Sequence, residues 1–308
     1  MTNNIWYCAV FSFVALCACV GPGEAVSTDA SAETSATIVA PLVETTAVAR
    51  ASDERSDFQL TGKAQQGGYM QGIAPSGARS LSLDGASVSL DEKGRFFIAF
   101  DRDAGKRATL KAELSDGATV AHDIVIAPGQ WRLEHINANY TGRASSAEYK
   151  RRRAGELAQI RAARAVNASS DGWLQDFIWP LKGRISGLFG AQRVYRGKPG
   201  SYHGGTDVVA PSGTPFVAPA NGVVVLAADT AFTLEGRLLI VDHGMGLNSA
   251  FLHCSSLAVK EGDSVEQGQI LGTVGATGRA TGPHLHWGIK WNAARLDPLI
   301  VAGAMDKR

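Results

Sequence analysis

Five side chains in the last third of this 308-residue chain could together run metal-assisted hydrolysis. They fall in three short clusters: His203-Gly204-Gly205-Thr206-Asp207, His253, and His284-Leu285-His286. The chain has seven histidines, and four of them lie here. Two histidines and one carboxylate leave a coordination position on a zinc ion for water. Bound zinc lowers the pKa of that water to about 7 and polarises a scissile carbonyl. Keeping that position limits the metal to three of the five side chains. The other two would then serve as a base for the water and a donor to the oxyanion. Spacing alone leaves open which three bind the metal.

The elements around these residues must bring them together. On a strand, residues two apart face the same side, so His284 and His286 enter one cleft while Leu285 points into a core. His203 and Asp207 are four apart, but Gly204-Gly205 disfavours a helix between them. A bent loop feeding a strand from Asp207 to Val209 is expected instead. Residues 223–227, 238–241, 249–252 and 287–290 read as further strands. Asn221-Gly222, Asp242-His243-Gly244 and Glu261-Gly262-Asp263 mark turns between them. His243 is assigned to its turn, not to metal. Residues 173–302 thus form a mostly antiparallel β domain with a glycine-rich lead-in from Gly187 to Gly205.

Upstream, residues 58–140 alternate with period two. Leu81 and Leu83 precede Asp84-Gly85, Val88 and Leu90 precede a turn at Gly94, and Phe96, Ile98 and Phe100 follow. Leu110, Ala112 and Leu114 reach Asp116-Gly117, and residues 122–126 close the set. Short strands with Asp-Gly turns predict a small β-sandwich-like domain. Its His122 and His135 are isolated and read as ordinary histidines. Residues 141–172 form a helical connector whose helix spans 145–165, with Ser145 and Glu148 as a capping box. Tyr149, Leu157, Ile160 and Arg164 share one face, and the basic run from Lys150 to Arg153 reads as a solvated face. The whole chain is therefore expected to be mainly β.

The N-terminal end reads as an export signal. Residues 5–20 are apolar, a run too short to span a bilayer comfortably. Residues 1–25 are assigned to a signal peptide or lipoprotein signal, and 26–57 to a flexible linker rich in Ala, Ser and Thr. Gly23-Glu24-Ala25 offers a cleavage site, Leu16-Cys17-Ala18-Cys19 resembles a lipobox with a lipid on Cys19, and an uncleaved anchor is the third reading. All three put the folded body outside the cytoplasm, in the periplasm or cell envelope. Of four cysteines only Cys254 lies in that body, so it holds no intrachain disulfide. Thirty basic residues nearly cancel 29 acidic ones, and the net charge of +1 predicts no nucleic-acid partner.

Residues 179–298 resemble the lysostaphin/LytM-type zinc metallopeptidases. The resemblance is carried by Gly187-Leu-Phe-Gly190, His203-Gly-Gly-Thr-Asp207, Ala210-Pro-Ser-Gly-Thr-Pro215, Ala218-Pro-Ala-Asn-Gly222, Asp242-His-Gly244, Phe251-Leu-His253 and the run from Thr277 to Gly288. It implies a zinc endopeptidase cutting peptide bonds, crosslinks above all, of bacterial peptidoglycan. It further implies one Zn2+ per chain on His203, Asp207 and His286, with His253 and His284 as the catalytic pair. The division of roles between those two stays open. Phe251 and Cys254 depart from the Tyr and Leu that the family often carries around its middle histidine. The residues upstream resemble the N-terminal domain that precedes such peptidases in some Gram-negative bacteria, and could position the site on the wall or cover its groove. In the covering case, a chain lacking residues 1–170 should be more active.

Three other readings compete. A cysteine hydrolase on Cys254 is disfavoured, because adjacent strand residues face opposite sides. A LytM-like regulator or scaffold that activates another wall hydrolase predicts a missing ligand, whereas all five positions are filled here. Residues 259–272 resemble a lipoyl or biotinyl carrier hairpin but offer no lysine at the tip. An activating partner protein is left unidentified.

Overall fold

The computed structural model describes residues 57–139 and 146–305. The signal, Cys19 and the linker lie outside the described residues. Among the described residues no helix is long and apolar enough to cross a membrane.

Eight strands come first: β1 (Gln59–Gly62), β2 (Tyr69–Ile73), β3 (Ala78–Leu83), β4 (Ala86–Val88), β5 (Arg95–Ala99), β6 (Arg107–Leu114), β7 (Thr119–Val125) and β8 (Leu133–Ile136). A three-stranded sheet, β1-β2-β5, packs with a four-stranded sheet, β4-β3-β6-β7. Ala108, Leu110 and Ala112 of β6 are buried, while the residues between them face out. They meet Leu81, Ile124, Phe96 and Ile98 in one apolar core. The Asp84-Gly85 hairpin forms as expected, with both residues at positive φ.

Period two fails on β5, where Phe96, Phe97, Ile98 and Ala99 are all buried. The second face of β5 is covered as well: Phe97 stacks on Tyr69 with ring centroids 5.1 Å apart and lies 6.3 Å from Trp291 near the chain's end. The strand β8 leaves the first two sheets and pairs in parallel with β10 (Gln192–Tyr195), which pairs with β11 (Lys198–Tyr202). Much of the glycine-rich lead-in is therefore a hairpin.

The helix α1 spans Ala147–Ala165. Its N-cap is Ser146, whose Oγ accepts from the Tyr149 N–H at 3.0 Å, not Ser145. The shift of one residue puts Glu148 at the second helical position, so the reciprocal half of the capping box is absent. Nor is the basic run wholly solvated. Arg153 grips Glu235 and Glu156, and Arg152 reaches Glu156 and the Ala231 carbonyl. Thr233 adds hydrogen bonds to Glu156 from its N–H and its hydroxyl, both 2.7 Å. These contacts fasten α1 across the following sheet, where Ala163 and Ile160 pack with Leu226, Leu238, Ile240 and Ala250.

That sheet holds β9 (Arg184–Gly187), β12 (Thr206–Val209), β14 (Gly222–Ala227), β15 (Arg237–Asp242), β16 (Leu247–Cys254), β18 (Ser264–Val265), β20 (His284–Trp291) and β21 (Ala294–Leu296). Its order is β18-β14-β15-β16-β20-β12-β9, with β21 paired to β20, and every pairing is antiparallel. A smaller sheet of β13 (Pro215–Val217), β19 (Ile270–Thr273) and β17 (Ser256–Leu257) packs beneath it, with Phe216 stacked on Phe251 at 5.2 Å. A short α2 (Pro298–Val301) follows, capped by Asp297.

Candidate metal centre and catalytic cleft

All five sequence-selected side chains line one cleft of about 310 Å³. The register of the central sheet brings them there. Asp207 of β12 pairs directly with His286 of β20, and residues opposite each other in a ladder share a face. His284 lies two residues from His286 on that same face, and Leu285 between them is fully buried in the core. His203 arrives from the β11–β12 turn.

His253 reaches the cleft differently. On β16, Leu252 pairs with His286 and Phe251 with Trp287, so Leu252 faces the cleft and Phe251 the core. Strict alternation would send His253 into the core as well. A bulge in the β15–β16 register intervenes, pairing Leu239 with Phe251 but Arg237 with Cys254. His253 takes up the extra residue at φ +67°. Such a left-handed residue re-aims the strand, and bulges of this kind gather at functional sites. Leu252 and His253 both end in the cleft, and Cys254 turns into the core, with no exposure. Burial pushes the Cys254 thiol up to about 12, and its S–H points at the Phe251 carbonyl. A cysteine nucleophile is thereby removed from consideration, since the thiolate is the reactive form.

Three donor atoms form a tight triangle. His286 Nδ1 lies 2.8 Å from Asp207 Oδ1, and His203 Nε2 lies 3.1 Å from both. A tetrahedral zinc with bonds of about 2.0–2.1 Å needs donors roughly 3.3 Å apart. The donor set, two imidazoles and one carboxylate, therefore fits such an ion with slight expansion. Nothing but these three residues forms a metal-sized group among the described residues.

Backbone carbonyls fix how the rings present themselves. His203 Nδ1–H donates to Leu188 O at 3.0 Å, His253 Nδ1–H to Thr277 O at 2.8 Å, and His284 Nδ1–H to Gly282 O at 2.8 Å. A carbonyl only accepts, so each Nδ1 carries the proton and each Nε2 is left with its lone pair for the cleft. The ring centroids of His253 and His284 are 4.9 Å apart, and His284 Nε2 lies 3.7 Å from Asp207 Oδ1. Burial opposes ionisation of Asp207, but His203 and His286 outweigh it and hold the carboxyl far below the usual range. Burial lowers His286 despite Asp207, and it lowers His253 to about 4. His203 is raised, because its bond to Asp207 overcomes its own burial.

Two glycines make the close approach feasible. A Cβ on Gly187 would sit 2.4 Å from Asp207 Oδ2, and one on Gly205 would sit 2.7 Å from His286 Nε2. Residues upstream of α1 brace the turn that carries Leu188. Trp131 packs on Phe189 at 5.5 Å, and buried Arg102 donates to the Gly190 carbonyl at 3.1 Å.

His243 stays outside the cleft, fully buried. Its Nδ1–H donates to Asn221 O at 2.7 Å, its Nε2 accepts from Ser249 Oγ at 2.9 Å, and Ser249 Oγ accepts from Trp287 Nε1–H at 3.1 Å. His122 lies near Phe58 and His135 sits on β8, both remote from the five. Glu235 and Leu234 line the cleft without any signal in the sequence. Arg279 lines it too.

Residues 201–298 match the model of peptidase family M23. Cell division protein DipM of Caulobacter vibrioides is 37% identical over 131 residues, which is 41% of this chain and 20% of that protein. Peptidoglycan DD-endopeptidase ShyA of Vibrio cholerae is 39% identical over 107 residues, 34% of this chain and 24% of that protein. The aligned part is thus about a fifth to a quarter of the length of these curated relatives. A solved structure from Pseudomonas aeruginosa, assigned to peptidase M23, superposes with a TM-score of 0.60 at 28% identity, covering 79% of this chain and 96% of that one.

Proposed function

We propose that this protein is a zinc-dependent endopeptidase that hydrolyses peptide crosslinks of bacterial peptidoglycan. The observation that carries the reading is the triangle of His203 Nε2, Asp207 Oδ1 and His286 Nδ1, with two further imidazoles aimed into the same cleft. The M23 match and the DD-endopeptidase named among the relatives point to the same substrate class.

In this reading His203, Asp207 and His286 hold one Zn2+ per chain. Zinc, when bound, would supply a Lewis acid for the scissile carbonyl and a water of lowered pKa. His253 and His284 do the proton work. Each keeps Nδ1–H on a backbone carbonyl, so each Nε2 is free to take a proton from the attacking water, or to donate once protonated. One accepts the water's proton, and the other donates to the carbonyl oxygen as it gains charge. The proton then passes to the departing amide nitrogen as the C–N bond breaks. Burial holds His253 mainly neutral at pH 7, the state a base needs. We assign it that role and give His284 the oxyanion.

In this reading residues 1–25 act as an export signal that delivers the chain to the cell envelope, with a lipid on Cys19 as one of its exits. The regulatory reading lacks support, since all five positions are filled and converge. Purified sacculi provide the test: zinc-loaded protein should release new muropeptides, a chelator should stop release, and added zinc should restore it. Release that survives complete zinc removal would sink the proposal.

A further inference from the structure

The sheet face that carries the cleft continues past His286, and a second cavity of about 280 Å³ opens there beneath α1. Arg164 from the last turn of α1, Lys290 of β20 and Arg295 of β21 line it. Gly288 lies between His286 and Lys290 on the same face of β20, and its missing side chain leaves the floor open. His286, Leu252 and Glu235 line both cavities, so the second adjoins the first.

The charges around this cavity are unbalanced. The side chains of Arg164 and Lys290 make no hydrogen bond or ion pair among the described residues, and Arg164 Nε is buried without a partner. The acids within reach are already engaged. Both guanidinium nitrogens of Arg153 hold Glu235, at 2.5 and 2.6 Å. Asp101 accepts from the Tyr202 hydroxyl and the Arg295 backbone N–H. Burial, then the neighbouring cations, lower the pKa of Lys290 and of Arg164. Collecting cations in a partly desolvated space, with a donor unsatisfied, destabilises the ligand-free fold.

We propose that this cavity is a carboxylate subsite, in which Arg164, Lys290 and Arg295 receive a carboxylate of the peptide substrate beside the bond that is cut. The proposal rests on the peptidase reading above. A carboxylate suits the cavity because its two oxygens accept from the guanidinium edge of Arg164, including the orphaned Nε, and from the Lys290 ammonium. The volume suits a side-chain-sized group, and the continuity with the cleft ties it to a chain already lying across His286.

Binding of a monomeric tetrapeptide muropeptide tests this, because that ligand has no crosslink to cut. It would be titrated into the zinc-loaded full chain, with its carboxyl groups either free or amidated, for wild type, Arg164→Met and Lys290→Met. We expect at least tenfold weaker binding of the free form by each variant, and little change for the amidated form. We also expect Arg164→Met to raise the melting temperature of the ligand-free protein, which a purely structural arginine would not do. Amidation that weakens binding equally in wild type and both variants would put the carboxylate elsewhere and overturn the proposal. So would a variant that melts lower and still binds the free form as wild type does. Failure of the wild type to digest sacculi would count against the peptidase reading alone, because this binding is read without turnover.

Discussion

Gly187 and Gly205 decide whether His203, Asp207 and His286 can meet at all. A methyl group at position 205 would press on the Trp287 carbonyl at 2.5 Å as well as on His286. Gly205→Ala should therefore weaken zinc binding roughly tenfold or more, on the scale seen when groups that orient ligands are disturbed. Titration against a competing chelator reads this, and wild-type affinity in the variant would contradict it. His253 should separate chemistry from metal binding. His253→Ala is expected to keep its zinc and to lose about 10²–10⁴ in kcat, the usual share of a general base. Metal content and turnover measured on one sample check both halves, and loss of zinc would assign His253 to the metal. At this scale the sequence was highly legible. The H-x-H spacing put His284 and His286 on one face, and the glycine pair explained how His203 and Asp207 could sit four apart without a helix. What the residues alone could not give was the division of labour, since four chemically equivalent imidazoles differ only in the partners of their ring nitrogens.

Among the elements, β16 and α1 hold what the pattern of residues concealed. Alternation along β16 predicts His253 on the Phe251 side, in the core, and a bulge at φ +67° reverses that. Such a bulge depends on two strands together, so no run of one strand's residues announces it. The helix α1 is a similar case. Its basic run read as solvated because Glu235, the partner of Arg153, lies 82 residues away. This pair is largely buried, with side chains 15% and 16% exposed. Arg153→Ala leaves Glu235 without its partner and should cost on the order of 3 kcal/mol of stability. Denaturant unfolding monitored at the helix checks this, and a loss below about 0.5 kcal/mol would show the lock to be as weak as a surface pair.

Across the whole molecule, the strands before α1, the helix itself and the strands after it share their packing. Phe97 meets Trp291, and β8 pairs with β10, contacts between segments far apart along the chain. A chain without residues 1–170 therefore loses packing as well as any cover over the groove. Removing α1 bares Leu226, Leu238, Ile240 and Ala250 on the sheet. Such a chain should be less stable and prone to aggregate, so any gain from an open groove must be read per folded molecule. Light scattering and a melting curve test this, and a monodisperse fragment melting with the full chain would oppose it. The buried chain through His243 sets an acid limit. Burial holds His243 at about 4, below its ordinary 6.5. The native state thus resists a proton that the unfolded state binds. Stability from this residue is full above pH 6.5 and is lost as pH falls from 6.5 towards 4, by roughly 3 kcal/mol in all. Metal-free protein unfolded with urea at several pH values should show that loss, and His243→Gln should flatten it. An equal slope in both would remove His243 as the cause.

The most direct measurement of the central claim is mass analysis of soluble products from crosslinked sacculi treated with the zinc-loaded protein or with His286→Ala. The account predicts muropeptides from the intact protein whose masses identify a cut peptide crosslink, and none from the variant, which also loses its zinc. The same products from both proteins, or none from an intact protein that holds its zinc, would contradict it.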